Sequence, residues 1–157
     1  METVGLGLHF EDLPLGRRFR TIGRTITEVD IVNYVNCTGL TEVLFTDAEF
    51  RARDSAIKGR FAPAMLAYAI SEGLLAQATM QHTALALLHM ELDVHHPVFA
   101  GDTIHVEVEV IEARASRSRP DRGLVRTRND VVTQNGTKVL TYTPLRMVKC
   151  RTAPPAS

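Results

Sequence analysis

The sequence is poor in cysteine, and this limits the chemistry it can support. Its two cysteines, Cys37 and Cys150, are too few for a disulfide framework, and neither belongs to a C-x-x-C or C-x-x-H spacing. The sequence also lacks a G-x-S-x-G elbow, a phosphate-binding loop and a dinucleotide-binding glycine pattern. We therefore expect reduced thiols and none of these common nucleophile or nucleotide sites.

The chain also carries no net charge. The 18 Lys and Arg residues balance 18 Asp and Glu residues, so no overall field attracts nucleic acid or an anionic membrane. The most apolar stretch, 61–88, is interrupted by polar residues and is too polar to span a bilayer. The first eight residues have neither the basic nor the apolar region of a signal peptide. The sequence thus predicts a soluble, cytoplasmic protein with no nucleic-acid or membrane partner.

The length and composition fit one globular domain. The chain has 157 residues, of which 45% are hydrophobic and 23% charged, and this is enough to bury a core without disulfides or a metal. We place the domain at 1–149 and a flexible tail, which contains two adjacent prolines, at 150–157.

Signals at the starts of helices predict three of them. The segments TEVD (27–30) and TDAE (46–49) fit capping boxes, and the helices they open should end near Gly39 and by Ser55. A third helix should run from Pro63, a residue suited to a first helical position, to Gln81. This helix is apolar almost all round and has a stripe of small residues. We therefore expect a curved sheet to enclose it and to approach its backbone closely.

The second half of the chain has the period of two that is typical of antiparallel strands. Such segments occur within 83–98, from Ile104, from Val125 and over 138–148, and Asn135-Gly136 is a strong hairpin signal. The predicted fold is α+β, with an antiparallel sheet wrapped around a long central helix.

Three segments carry a resemblance to a known family: TITEVDI (25–31), IKGRFAPAML (57–66) and PVFAGDT (97–103). With them the chain is similar, over about residues 10–149, to the hotdog fold and to its MaoC-like dehydratase branch, which includes (R)-specific enoyl-CoA hydratases. The resemblance implies an acyl-CoA thioester substrate, no cofactor, and a homodimer or higher oligomer with the site between subunits. It also implies that the substrate binds where the central helix begins. The substrate-binding candidates are Gly59, Arg60, Pro63, Ala64 and Met65, with a backbone N–H near Ala64 polarising the thioester.

The loop after the first helix departs from that family. Its hydratases carry G-D-x-N-P-x-H there, and the Asp and His activate the water that adds to the double bond. In this chain the loop is GLTEVLFTD (39–47), which has Leu40 at the Asp position and Phe45 at the His position. Because neither side chain can exchange a proton, Glu42 is the replacement acid/base candidate and Asp47 the second. Each also has a structural interpretation, since Asp47 can serve only as a helix cap and Glu42 can simply face water.

Two other functions remain open for this loop. A hotdog thioesterase would use a carboxylate near the central helix, and Glu72 is the charged residue within that helix. A non-catalytic acyl-CoA or acyl-carrier binding subunit would need only an apolar site, with any catalytic residues in a paired homologue.

Two polar clusters have no assigned role. One face of a predicted strand carries His89, Glu91, Asp93 and His95, next to His96. These residues fit a solvated face better than a metal site, and a subunit contact is favoured over a metal site as a function of the face. The arginines between 114 and 128 surround the turn at 120–123 and fit either a solvated hairpin tip or the phosphates of coenzyme A.

Overall fold

The structure is a computed structural model that describes residues 1–151. Within them the helices are α1 (Glu28–Thr38), α2 (Val43–Thr46), α3 (Ala48–Asp54) and α4 (Ala64–Leu75). The strands are β1 (Arg18–Arg20), β2 (Arg24–Thr25), β3 (Ala84–His89), β4 (Leu92–Val94), β5 (Thr103–Ala115), β6 (Arg122–Thr133), β7 (Lys138–Tyr142) and β8 (Leu145–Lys149). Of the predicted tail, Cys150 N donates to the Asp121 carbonyl and Arg151 N to Glu11 Oε2. Residues 152–157 lie outside the described part.

The ends of α1 follow the sequence pattern. Asp30 N donates to the Thr27 hydroxyl at 3.2 Å, and Thr27 N donates to the Asp30 carboxylate at 2.8 Å, which confirms the capping box. Gly39 ends the helix with φ of 69°, a left-handed conformation that glycine adopts without steric cost.

The second capping prediction was wrong by one residue. Asp47, rather than Thr46, caps α3, because its carboxylate accepts a hydrogen bond from Phe50 N at 2.9 Å. Thr46 ends the separate helix α2, where its hydroxyl donates to the Glu42 carbonyl. The helix ends before Ser55, as predicted.

The central helix α4 begins at Ala64, with Pro63 as its N-cap, and changes into a π-helical turn at Ala76–Met80. Its large apolar side chains, such as Leu66, Ile70 and Leu74, are buried on the protein side. None of the helices described is long and apolar enough to cross a membrane.

The small residues of α4 are divided between its two faces. Ala69 and Gly73 are exposed, and a Cβ built on Gly73 would meet no atom within 4 Å, whereas Ala67 and Ser71 are buried. The expectation that a sheet packs closely on the stripe is therefore wrong at Ala69 and Gly73. The sheet packs instead on the face of α4 that carries the large side chains, because burying that face removes more apolar surface from water.

The sheet has eight strands, all paired antiparallel, with β5 and β6 at its centre. The first half of β6 pairs with β8 and the second half with β7. Further out in the sheet, β3 pairs with β8 and β4 pairs with β7. On the other side of β5, β1 and β2 pair with β5. The predicted hairpin joins β6 and β7, with Gly136 at φ of 80°.

The core fills the space between α4 and the sheet, and strand alternation builds it. In β5, Ile104, Val106 and Val108 are buried, whereas Glu107 between them is exposed. They join a cluster that includes Ile31 of α1. This confirms an antiparallel sheet packed on a central helix.

Two strands at the margin of the sheet are left uncovered. Every residue of β3 is exposed, and the side chains of Leu87 and Leu88 are each 50% accessible. Val94 of β4 is 55% accessible. Since β3 pairs only with β8 within the described residues, it presents free backbone groups together with apolar side chains, an arrangement that favours pairing with another chain.

The two cysteines differ in their surroundings. Cys37 of α1 is exposed. Cys150 is partly buried, and burial together with the nearby Glu11 carboxylate raises the pKa of its thiol.

Candidate active site

An apolar cavity of about 330 Å³ opens at the N-terminal end of α4. Its walls come from α2, the segment before α4, α4 itself and the ends of β4 and β7. They include Phe45, Ile57, Phe61, Ala64, Ala67 and Leu140. The volume falls in the range of about 300–1,000 Å³ that is usual for small-molecule pockets.

Other hollows fit an acyl ligand less well. At the opposite end of α4, a cavity of about 40 Å³ has room for only a few water molecules. A groove of about 340 Å³ on the outer face of the sheet is lined mainly by charged side chains such as Arg18, Glu109 and Arg128. The cavity at the start of α4 is therefore the candidate site.

Backbone hydrogen bonds fix the segment that leads into α4. Ala62 N donates to the Val98 carbonyl at 2.7 Å, and Ala100 N donates to the Arg60 carbonyl at 3.0 Å. The segment 60–62 thus runs beside 98–100, which brings together two of the three sequence motifs that carry the family resemblance. Both contribute walls of the cavity.

The first turn of α4 presents free N–H groups at the cavity. Pro63 caps the helix without a side-chain hydrogen bond, and within residues 1–151 neither Ala64 N nor Met65 N has an acceptor. Pro63 and Ala64 line the cavity, whereas Met65 lies outside its lining and is 41% accessible. Unpaired N–H groups at the positive end of a helix dipole can polarise a carbonyl oxygen.

Arg60 links three parts of the site. Its guanidinium donates to the Glu28 carboxylate at 2.6–2.9 Å and, through Nη1, to the Phe45 carbonyl at 2.7 Å. The hydrogen bonds from Arg60 hold the pKa of Glu28 below its usual range. Arg60 therefore positions the cavity wall at Phe45. Gly59, with φ of 90°, lies against the ring of Phe99.

Two histidines, His95 and His96, also line the cavity. The strand pattern predicts a solvated face for the histidines of this region. His95 and His96 are exposed, as predicted, and Nε2 of the His95 ring lies 2.9 Å from Thr141 Oγ1. The adjacency of His96 to the PVFAGDT motif is the sequence signal that could have placed it near the site. Within the described chain, no three His, Cys, Asp or Glu side chains lie close enough to hold a metal ion.

Glu72 lies away from the cavity lining. Arg146 Nη2 donates to its two carboxylate oxygens at 2.7 and 2.6 Å, and the Arg146 side chain is 11% accessible. Burial, and then the Glu72 charge, raise the pKa of the neighbouring Tyr142. Glu72 thus belongs to a structural ion pair, roughly 12 Å along the helix axis from Ala64.

The arginines near the 120–123 turn are largely paired with carboxylates. Arg122 binds Asp121, Arg114 and Arg126 bind Glu112, and Arg128 binds Glu109; these pairs have N–O distances of 2.6–3.3 Å. The turn lies at the start of β6, whereas the cavity is near the end of β6, where Val131 pairs with Leu140. Arg122 lies roughly 30 Å from Val131 along the strand and Arg128 roughly 10 Å. None of the four arginines is among the residues that line the cavity.

Comparison with known families gives one decisive match. The model of the MaoC-like domain matches residues 11–135, most of the chain. The protein belongs to the MaoC-like family. No curated protein matches the chain by sequence.

Solved structures show the fold of this MaoC-like protein to be the hotdog fold. A MaoC-like dehydratase from Rhodospirillum rubrum is 30% identical, with a TM-score of 0.80 over 93% of this chain and 99% of that one. The (R)-hydratase PhaJ1 from Pseudomonas aeruginosa is 24% identical, with a TM-score of 0.73 over 96% of each chain. A conserved hypothetical protein from Mycobacterium tuberculosis, described as a double hotdog fold, is 22% identical, with a TM-score of 0.83 over 99% of this chain and 48% of that one.

The loop after α1 gives this MaoC-like protein an apolar wall. Phe45 lines the cavity, and its ring packs edge to face on Phe61 with centroids 5.6 Å apart. Leu40 is 39% accessible. The two positions at which the resemblance requires Asp and His thus carry side chains without protons to exchange.

The two carboxylates of this loop have different settings. Asp47 caps α3, which is the structural role considered for it from the sequence. Glu42 precedes α2 as an exposed residue, and its side chain forms no capping hydrogen bond. Neither lies in the cavity lining.

Proposed function

We propose that this protein binds an acyl-CoA thioester and acts on it as a hydratase or dehydratase, interconverting a 2-enoyl-CoA and a 3-hydroxyacyl-CoA. One observation carries the proposal: an apolar cavity of about 330 Å³ opens at the start of α4, where the N–H group of the lining residue Ala64 and the next one, of Met65, are free. Membership of the MaoC-like family supports the same substrate class.

Each part of the substrate has a matching part of the site. The acyl chain occupies the cavity among Phe45, Phe61 and Leu140, because burying its methylene groups there removes apolar surface from water. The thioester oxygen faces the N–H groups of Ala64 and Met65. When water adds at C3, negative charge develops on that oxygen as an enolate, and hydrogen bonds aimed at this charge lower the barrier.

The acid/base group must come from residues other than Leu40 and Phe45. Glu42 is the first candidate, because it lies on the same short loop and its side chain is free of a capping bond. Asp47 is the second, but using it would break the bond that begins α3. When a carboxylate moves over an apolar cavity and loses its hydrating water, its pKa rises, and it becomes a stronger base.

The test is a panel of enoyl-CoA and saturated acyl-CoA esters, with double-bond absorbance and free thiol followed in parallel. We expect absorbance to fall with crotonyl-CoA while no thiol is released. Glu42→Gln should abolish this change and leave the dissociation constant for the ester unaltered. The matched control is Glu49→Gln, an exposed carboxylate on α3.

Other outcomes identify other functions. Thiol release would make the protein a thioesterase, although the pairing of Glu72 with Arg146 leaves that carboxylate without a free role. Binding of esters with neither signal would make it an acyl-CoA binding subunit, which the apolar residues at Leu40 and Phe45 favour. A protein that neither binds nor converts any ester would refute the proposal.

A second copy of the chain is the partner. The exposed β3 edge, with Leu87 and Leu88, and the uncovered stripe of α4, with Ala69 and Gly73, form the face on which it packs. The double hotdog protein from Mycobacterium tuberculosis, which this chain matches over 48% of its length, is consistent with such a pair.

Light scattering tests this assembly. We expect a homodimer or a higher oligomer for the wild type and a monomer for Leu87→Asp. The matched control is Ile22→Asp, which changes an even more exposed apolar residue between β1 and β2 and should leave the assembly intact. A monomeric wild type would exclude the dimer.

A further inference from the structure

The candidate cavity has few groups that can exchange a proton. Its lining is apolar apart from two histidine residues, His95 and His96. Histidine is the side chain whose ordinary charge change falls nearest neutral pH. The proton chemistry of the site therefore depends on which of the two rings faces the cavity.

The ring of His95 belongs to the outer face of the sheet. Its Nε2 lies 2.9 Å from Thr141 Oγ1, and Thr141 in turn donates to Asp130 Oδ1 at 2.7 Å. A hydroxyl carries one hydrogen, so Thr141 must accept from Nε2–H of His95. Leu140 and Tyr142, on either side of Thr141 in β7, are both buried. By strand alternation, Thr141 and the His95 ring lie on the face opposite the core.

His96 is next along the chain, at a bend that follows β4. The N–H groups of His95 and His96 both donate to the Val139 carbonyl, at 2.9 and 3.3 Å, so the regular strand pairing ends here. His96 lines the cavity, and within the described part of the chain no hydrogen bond holds its side chain to the outer face of the sheet as one does for His95. The His96 ring has no hydrogen-bond partner among residues 1–151, and it is exposed at the cavity mouth, open to a ligand.

We infer that His96 is the proton-transfer residue for C2 of the acyl-CoA, working opposite Glu42, an assignment that rests on the proposed function. In hydration, the water oxygen bonds to C3 and Glu42 takes the proton released from water. The π pair of the C2–C3 double bond moves to C2 through the enolate, and the imidazolium of His96 gives its proton to C2. The starting carboxylate and imidazolium become a carboxylic acid and a neutral imidazole. Total charge is conserved, and proton exchange with solvent restores both groups.

The inferred role has a partial reaction of its own. A saturated ester such as butyryl-CoA has no double bond to hydrate, but its C2 hydrogens can exchange with solvent deuterium through the same enolate. This exchange needs His96 and the N–H groups of α4, and it needs no attack by water. We therefore incubate the protein with butyryl-CoA in D₂O and follow deuterium at C2 by mass spectrometry.

The variants are His96→Gln and, as the control, His82→Asn, which changes an exposed histidine outside the cavity lining. We expect His96→Gln to slow C2 exchange by roughly 100-fold or more, the usual contribution of a positioned acid or base. His82→Asn should keep exchange near the wild-type rate. Both positions are exposed, so each variant should fold, and the midpoint of thermal unfolding checks this.

The outcomes separate the two proposals. Exchange that persists in His96→Gln, or falls equally in His82→Asn, overturns the role of His96 even if the wild type hydrates crotonyl-CoA. A second outcome is that the wild type hydrates no enoyl-CoA but exchanges the C2 hydrogens, and that this exchange requires His96. That outcome overturns the hydratase function and retains His96 as a base for C2. A wild type that neither exchanges nor hydrates overturns both.

Discussion

Arg60 Nη1 donates a hydrogen bond of 2.7 Å to the carbonyl of Phe45, so a cation just before α4 fixes the backbone of the loop after α1. The same guanidinium is held by Glu28 of α1. Arg60→Gln should free the loop and weaken binding of acyl-CoA esters by a few-fold, because the wall at Phe45 would no longer be held in place. Calorimetric titration with butyryl-CoA measures the change. Arg53→Gln, at an exposed arginine on α3, is the control and should bind as the wild type does.

The width of the cavity mouth should set which acyl groups enter. Ala64 lines the cavity and is exposed, so a larger side chain there narrows the mouth without overfilling the core. For Ala64→Phe we expect the affinity for longer acyl-CoA esters to fall by roughly 10-fold, the equivalent of about 1.4 kcal/mol. Competition binding across acyl lengths measures it. Ala78→Phe, at an exposed position outside the lining, should change nothing; equal losses in both variants would argue against this location of the acyl chain.

The pair formed by Glu72 and Arg146 should contribute to stability more than a surface pair does. Arg146→Met leaves a partly buried carboxylate without its partner. Because Glu72 retains some exposure, we expect a loss of about 2 kcal/mol in the free energy of unfolding, below the range for fully buried pairs. Arg128→Met removes an exposed arginine paired with Glu109 and should cost less than about 1 kcal/mol. Urea denaturation compares the two, and a similar cost for both would contradict the prediction.

Asp130 should make stability depend on pH in the acid range. Burial alone would raise the pKa of Asp130, but hydrogen bonds from Thr141 and Lys138 outweigh burial and hold it below its ordinary value. A lowered carboxyl pKa contributes stability that is fully present above the unfolded value, about 3.9, and is lost as the pH falls through the lower folded value. The wild-type urea midpoint should therefore drop below about pH 4, and Asp130→Asn should reduce that drop. Asp93→Asn, at an exposed carboxylate on the same face, serves as the control.

Most of the fold could be predicted because its signals are local. The capping box of Thr27 and Asp30 needs only four residues, and the alternation in β5 follows directly from which side chains face the core. The stripe of Ala69 and Gly73 was misassigned for a physical reason. An apolar pattern says that a helix face avoids water, but it does not say whether the same chain or another one covers it.

The site was predictable only in part. Pro63 and Ala64, which line the cavity, could be predicted because a helix start is visible in the sequence and its free N–H groups follow from helix geometry. His96 was missed because it lies two residues past the end of β4, at a bend. There, which face a side chain takes depends on the hydrogen bonds of His95 N and His96 N to Val139 rather than on any local pattern. Such pairings between distant segments are not encoded in a short stretch of sequence.

The difference between the two cysteines allows a spectroscopic probe to be placed beside the loop after α1. Thiolate is the form that alkylating dyes attack. Partial burial and a raised pKa slow the reaction of Cys150, so dyes label the exposed Cys37 first. A single fluorophore can thus be attached near the end of α1, two residues before Gly39, without any engineered substitution. Its emission would report in real time on the segment that carries Glu42 and Phe45 as an acyl-CoA enters the cavity.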